Sequence, residues 1–209
     1  MKQANNLLIL SGIEHGFCNA IDTKDVSCPV LMTQVHSADV LVINEYTDTL
    51  PAVDALVTTH PNIKLTVKTA DCAPVLLADS QNGVIGAVHA GWKGAFQGVI
   101  ENTILKMLEQ GAEIKYIHAA IGPCLHKDSF EISEDFKALF PRTEHCFFEQ
   151  KGGKEYFDFV AYVKHRIHRA GVISVDVIDI DTYPSSDYFS YRREPENPGR
   201  QYSYIQIVK

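Results

Sequence analysis

The chain has 209 residues, 45% of them hydrophobic and 22% charged, a balance that buries a core and argues against disorder. Acidic side chains outnumber basic ones 26 to 19, and a net charge of −7 without any basic block argues against nucleic acid or an anionic membrane as a partner. The length suits one domain over residues 1–209.

In chain order, the apolar run at 7–10 is too short for a signal-peptide core or a membrane span. The cysteines Cys18, Cys28, Cys72, Cys124 and Cys146 are odd in number, widely spaced and without a C-x-x-C pair. They do not read as a disulfide framework and point to free thiols in a reducing cytoplasm. Residues 30–35, 39–43, 55–59 and 65–68 are rich in β-branched side chains and predict short strands. The apolar runs 74–78 and 84–89 flank Asp79-Ser80-Gln81-Asn82-Gly83; Asn82-Gly83 tolerates positive φ, so a β-hairpin is expected. Such a hairpin sets Cys72, entering its first strand, beside His89, leaving its second.

Phe96, Val99, Ile100, Thr103, Ile104, Met107 and Leu108 recur at helical spacing and predict a helix over 94–109, stopped by Gly111. A strand is expected at 114–121 and a helix at 158–170, with Asp158 as N-cap and Gly171 after it. Strands at 172–180 and 202–208 complete the chain. Many strands with few crossover helices predict an α+β fold with mixed sheets and flanking helices.

Two imidazoles and one thiol, His36, Cys72 and His89, suit a borderline-soft ion such as zinc, and three protein ligands leave a fourth position open for catalysis. Gly91 and Gly94 beside His89 allow close backbone approach. The same residues admit other readings. Cys72 can be an ordinary buried thiol with both histidines satisfied in the core. Alternatively, Cys72 and His89 form a nucleophile–base pair, oriented by Asp71 or Asp79, in a cysteine hydrolase or amidase. Cys124 follows Gly122-Pro123 at a strand end, either lining the same cleft or packed at the strand terminus. Arg192, Arg193 and Arg200, near Tyr188, Phe189 and Tyr191, suit a phosphate or carboxylate beside a stacked ring; a solvated arginine pair is the alternative. Lys68 and Lys93 are the cations nearest these motifs, and Trp92 and Phe96 are expected in the core.

The ordered set Gln34-Val35-His36, Asp54-Ala55-Leu56-Val57-Thr58, Thr69-Ala70-Asp71-Cys72, His89-Ala90-Gly91-Trp92, Ile121-Gly122-Pro123-Cys124 and Phe189-Ser190-Tyr191-Arg192-Arg193 with Gly199-Arg200 resembles the YfiH-like proteins. These are also called laccase-domain or polyphenol-oxidase-like proteins and are regarded as purine nucleoside phosphorylases. The resemblance runs through most of the chain and implies an αββα layered sandwich with zinc at His36, Cys72 and His89. The implied activity is phosphorolysis of adenosine, inosine and methylthioadenosine together with adenosine deamination, that is, transferase and hydrolase chemistry. The implied partners are a purine nucleoside and phosphate, bound by a monomer or homodimer. Proximity in sequence, apart from the resemblance, makes Cys72, His89 and Asp71 the candidate catalytic residues, with Asp71 as proton carrier, and Lys68, Cys124, Arg192 and Arg193 the candidate substrate-binding ones.

Copper-dependent phenol oxidation has also been attributed to the family, which makes copper the alternative ion. Nine histidines without an H-x-H pair do not readily build a blue-copper site plus a three-copper cluster, so polyphenol oxidase activity is expected to be weak. A small-molecule binding module with structural zinc is the non-enzymatic alternative. The chain departs from the family near its start: His15-Gly16-Phe17-Cys18-Asn19-Ala20 replaces His-Gly-Phe-Ser-Thr-Arg and lacks the Gly-Gly pair that follows. Lys68 and Lys93 stand where the family usually has Arg, keeping charge without the planar fork. Thr182 or Tyr183 stands in place of a frequent Cys.

Overall fold

The computed structural model describes residues 1–27, 29–45, 50–197 and 199–208. Its strands are β1 (Ile13–Phe17), β2 (Pro29–Leu31), β3 (Val40–Val42), β4 (Ala55–Thr58), β5 (Lys64–Thr69), β6 (Ala73–Asp79), β7 (Val84–Ala90), β8 (His118–Ile121), β9 (Glu131–Ile132), β10 (Phe148–Lys151), β11 (Lys154–Phe157), β12 (Ser174–Val177) and β13 (Gln201–Ile207). Its helices are α1 (Asn5–Leu8), α2 (Trp92–Gln97), α3 (Val99–Glu109), α4 (Glu134–Ala138) and α5 (Phe159–Arg169). Cys28 lies outside the described residues; Cys18, Cys72, Cys124 and Cys146 are free thiols.

A six-stranded sheet runs β12-β8-β6-β7-β4-β3, a four-stranded sheet β1-β13-β5-β2 and a three-stranded sheet β10-β11-β9. The pairs β12/β8, β3/β4 and β2/β5 are parallel, while β8/β6, β6/β7 and β7/β4 are antiparallel, so the larger sheets are mixed. The fold is mixed α+β. Strand alternation explains its layers. On β6, Ala73, Val75 and Leu77 face a core shared with Val99, Ile100, Ile104 and Met107 of α3 and Tyr162, Val163 and Ile167 of α5. Leu76 and Ala78 face the opposite way, onto Val30, Leu65, Val67 and Ile205 of the four-stranded sheet. The six-stranded sheet is therefore sandwiched between helices and a second sheet, and both faces of β6 and β7 are buried. Among the described residues, no helix is long and apolar enough to cross a membrane.

Several elements depart from the periodicity. The helix expected over 94–109 is broken: α2 ends at Gln97, Gly98 takes φ 99, and α3 begins at Val99. Helical spacing of the apolar residues continues across this left-handed residue, which hides the break. The strand expected at 114–121 is a 3-10 turn, Ile114–Tyr116, followed by the shorter β8. The strand expected at 172–180 shrinks to β12, and the one expected at 30–35 ends at Leu31. Beyond Leu31 the contact with β5 passes from backbone to side chain: the Gln34 amide brackets the Lys68 backbone, accepting from its N–H at 2.8 Å and donating to its carbonyl at 2.7 Å. Strands β1 and β9 to β11 and helices α1 and α4 were not anticipated. Behind the small sheet, Phe130, Phe136, Phe140, Phe148 and Phe157 pack ring on ring.

Candidate metal centre

The β6/β7 hairpin carries two of the three proposed ligands. Its register pairs Pro74 with His89 and Ala73 with Ala90, so Cys72, immediately before β6, meets the end of β7. The turn is closed by Asp79, whose carboxylate accepts from the amides of Gln81 and Asn82 at 3.0 Å and from Glu113 N at 2.8 Å. Asp79 therefore sits at the far end of the hairpin and does not orient His89. Asp71 does not orient it either: its carboxylate accepts from Thr182 Oγ1 at 2.7 Å, Ser190 Oγ at 3.1 Å and Arg192 N at 2.7 Å. The partner of His89 is Asp54, at 2.8 Å from Nδ1.

His36 comes from the loop between β2 and β3, with φ 61. The amides of Val35, His36 and Ser37 converge on the Asp54 carboxylate at 3.2, 3.0 and 2.6 Å. His36 Nε2 then lies 3.7 Å from Cys72 Sγ, and the two imidazoles meet edge to face at 4.9 Å between centroids. Candidate donor atoms of His36, Cys72 and His89 all lie within 4.8 Å of one another, the one such His/Cys/acid group of three or more among the described residues. Close glycines make room for it. A Cβ on Gly91 would come 2.5 Å from the His36 ring and 3.3 Å from Cys72 Sγ, and one on Gly94 would come 2.8 Å from Ser37 O.

The electrostatics favour a thiolate. Burial alone would push the Cys72 thiol up, yet the charge of His89 and hydrogen bonds from both imidazoles outweigh it and bring it down to about 6. Burial would likewise depress His89, but the Cys72 thiolate and Asp54 raise it to about 9. Asp54, buried yet surrounded by donors, is held at about 2 by His89 and Ser37. Two imidazoles and a thiolate are the donor set that zinc prefers; tetrahedral bonds of about 2.0–2.3 Å place neighbouring donors roughly 3.5 Å apart, a spacing that the His36–Cys72 pair, at 3.7 Å, already approaches.

The trio opens into a cavity of about 900 Å³. Lys68, Arg192 and Arg200 line it, as do Trp92, Phe130, Phe159 and Tyr191, while Asp71 is its one acidic lining residue. Arg192 is anchored by Nη1, which donates to the carbonyls of Ser129 at 2.9 Å and Glu131 at 3.0 Å, with its guanidinium 5.3 Å over the Phe130 ring. Arg193 does not line this cavity. Its guanidinium is occupied by the carbonyls of Thr182, Tyr183, Ser185 and Tyr188, which makes it a brace of the loop. Cys124 does not line the cavity either; it is fully buried in the core, where burial pushes its thiol well up. Trp92, expected in the core, packs edge-on against Phe136 at 4.8 Å and also lines the cavity.

Sequence reasoning overlooked Asp54 as the orienting group. The available signal was a lone carboxylate opening the fully buried strand β4. It also overlooked Phe130 and Phe159 in the cavity wall.

Residues 14–208 match the family model for multi-copper polyphenol oxidoreductase laccases. A purine nucleoside phosphorylase of Rickettsia prowazekii is 35% identical over 195 residues, covering 90% of this chain and 79% of that protein. An adenosine deaminase from an unknown prokaryotic organism is 32% identical over 202 residues, covering 88% of this chain and 76% of that protein. The crystal structure of the Bacillus licheniformis protein YfiH superposes with a TM-score of 0.78 at 25% identity, covering 87% of this chain and 74% of that one. The chain belongs to the multi-copper polyphenol oxidoreductase laccase family, with the YfiH-like fold.

Proposed function

We propose that this chain is a zinc-dependent purine nucleoside phosphorylase that also deaminates adenosine, with His36, Cys72 and His89 as the metal ligands. The observation that carries the reading is the convergence of those three side chains at a cavity with a cationic wall, in a chain whose relatives bear the names of both activities. A cavity of about 900 Å³ lies near the top of the range of small-molecule sites, about 300–1,000 Å³, and suits a nucleoside together with phosphate.

When bound, zinc supplies a Lewis acid at the open end of the trio. Lys68 and Arg192 hold phosphate at the cavity wall; Arg192 is held in turn by Asp71 through its backbone. Trp92, Phe130 and Tyr191 offer flat apolar surfaces to the purine. In phosphorolysis a phosphate oxygen bonds to the anomeric carbon as the glycosidic C–N bond breaks, and the base leaves with the electron pair and gains a proton. In deamination water replaces the exocyclic amine, giving inosine and ammonia. Asp71 acts on this reading as a positioning residue for Arg192, since its carboxylate already accepts three hydrogen bonds. Free thiols at Cys18, Cys72, Cys124 and Cys146 support work in a reducing cytoplasm.

A cysteine hydrolase is the second reading, favoured by the lowered Cys72 thiol beside His89. In such a dyad His36 is only an accessory that helps His89 lower the thiol. Phenol oxidation would fall to copper in the same trio, because a multi-copper centre needs further clustered ligands.

The test is to incubate the zinc-loaded protein with adenosine, with and without phosphate. Adenine with ribose 1-phosphate is expected in phosphate, and inosine with ammonia in its absence; His36→Ala abolishes both. A folded, zinc-loaded protein that forms neither product overturns the proposal. Activity that survives chelation, and labelling of Cys72 by iodoacetamide that ends it, would favour the hydrolase.

A further inference from the structure

We propose that Asp54 is the positioning residue of the metal centre, setting the tautomer of His89 and the backbone of His36 with one buried carboxylate. The inference rests on the metal-site reading above.

Asp54 is fully buried, and both of its oxygens are fully used. Oδ1 accepts from His36 N at 3.0 Å and lies 2.8 Å from His89 Nδ1. Oδ2 accepts from Val35 N at 3.2 Å, Ser37 N at 2.6 Å and Ser37 Oγ at 3.0 Å. The Asp54 carbonyl also accepts from His89 N at 2.8 Å. Two consequences follow. A carboxylate opposite Nδ1 keeps the proton there and leaves Nε2 as the donor to an ion. Three successive amides converging on the same carboxylate also hold His36 at φ 61, a conformation that a residue with a Cβ rarely adopts unaided. Two ligands from segments far apart in the chain are thus referred to one side chain.

An amide at position 54 cannot replace the acid. Whichever way it is turned, its NH2 faces N–H donors: His36 and His89 on one side, Val35 and Ser37 on the other. Asp54→Asn therefore disturbs the ligands while nearly conserving volume.

The experiment measures zinc affinity of the full chain by chelator competition, with no reference to turnover. Asp54→Asn is expected to weaken binding about 10- to 100-fold and to change the visible spectrum of the cobalt(II)-loaded protein. Leu56→Ala is the control. It lies two residues on, within β4, buried against the second sheet, and is expected to lower the melting temperature with zinc affinity within twofold of wild type. The wild type supplies a readout that no variant can spoil by misfolding: long-range 1H–15N correlation of the zinc-loaded protein should show His89 protonated at Nδ1. Protonation at Nε2 overturns the proposal, as does Asp54→Asn binding within twofold of wild type, or Leu56→Ala weakening binding equally. A wild type that holds no zinc overturns this inference and the metal centre together. One that holds zinc as described but leaves nucleosides intact defeats only the proposed activity.

Discussion

Gly91 and His36 are so close that a Cβ on the glycine would stand 2.5 Å from the imidazole Cδ2. Gly91 has φ −71 and ψ 160, an ordinary extended conformation, so alanine there meets no backbone penalty. The conflict is mainly with the His36 ring, at an exposed position that can swing aside, and secondarily with Cys72 Sγ at 3.3 Å. Gly91→Ala is therefore expected to leave the melting temperature within a few degrees of wild type while zinc affinity falls tenfold or more. Thermal unfolding and metal analysis of the purified variant check this; a variant with full zinc affinity would show that the trio does not need the close approach.

Metal retention should depend on pH with a definite sign. With Cys72 lowered to about 6 and His89 raised to about 9, the metal-free pair holds one proton between those values. A bound ion must displace that proton. Apparent zinc affinity should then rise about tenfold per pH unit across the window, and fall more steeply as pH drops below about 6, where the thiol takes up a second proton. Competition titrations in buffers either side of neutrality test it. A flat profile would mean that the pair is not ligating.

Lys68 belongs to the cavity wall and is not one of the three metal ligands, so its charge can be removed separately. Lys68→Met should raise the KM for phosphate about tenfold, an amount typical of losing one charge-assisted contact of about 1.5 kcal/mol. Zinc content and the KM for adenosine should stay as in wild type. Steady-state kinetics with each substrate varied in turn decide the point, and an unchanged phosphate KM would remove Lys68 from the anion site.

Gly98→Ala addresses the fold alone. A Cβ there would have no heavy atom nearer than 3.7 Å, so the cost is that of a left-handed backbone, about 1–2 kcal/mol. Urea unfolding should show that loss, with zinc affinity unaltered. A neutral result would mean that α2 and α3 rejoin as one helix.

What the sequence made legible follows from how local the signals were. The β6/β7 hairpin was readable because its turn residues, Asn82-Gly83, and its apolar runs are contiguous, and the Asp158 cap because it precedes its helix directly; its side chain accepts from Ala161 N at 3.0 Å. The Cys72–His89 proximity followed from that hairpin. Asp54 was not legible as the orienting group because its ring partner lies on another strand, whereas Asp71 and Asp79 sit beside the motif in sequence. The small sheet escaped notice because Glu149, Gln150, Lys151, Lys154 and Glu155 interrupt any apolar alternation and instead form surface ion pairs such as Lys127–Glu149 and Lys137–Glu155. Arg193 misled for a related reason: guanidinium chemistry suits phosphate, yet backbone carbonyls of its own loop satisfy it equally well.

The three ligands also differ in what anchors them. His89 belongs to a hairpin in the middle of the largest sheet, whose amides are freed only by opening that sheet, and Cys72 directly precedes its first strand, whereas His36 rides on a surface loop. In hydrogen exchange the amide of His89 should therefore be among the slowest in the chain, and that of His36, protected by the Asp54 carboxylate alone, faster. An arriving ion thus meets two donors set by the sheet and a third whose backbone one buried carboxylate holds in place.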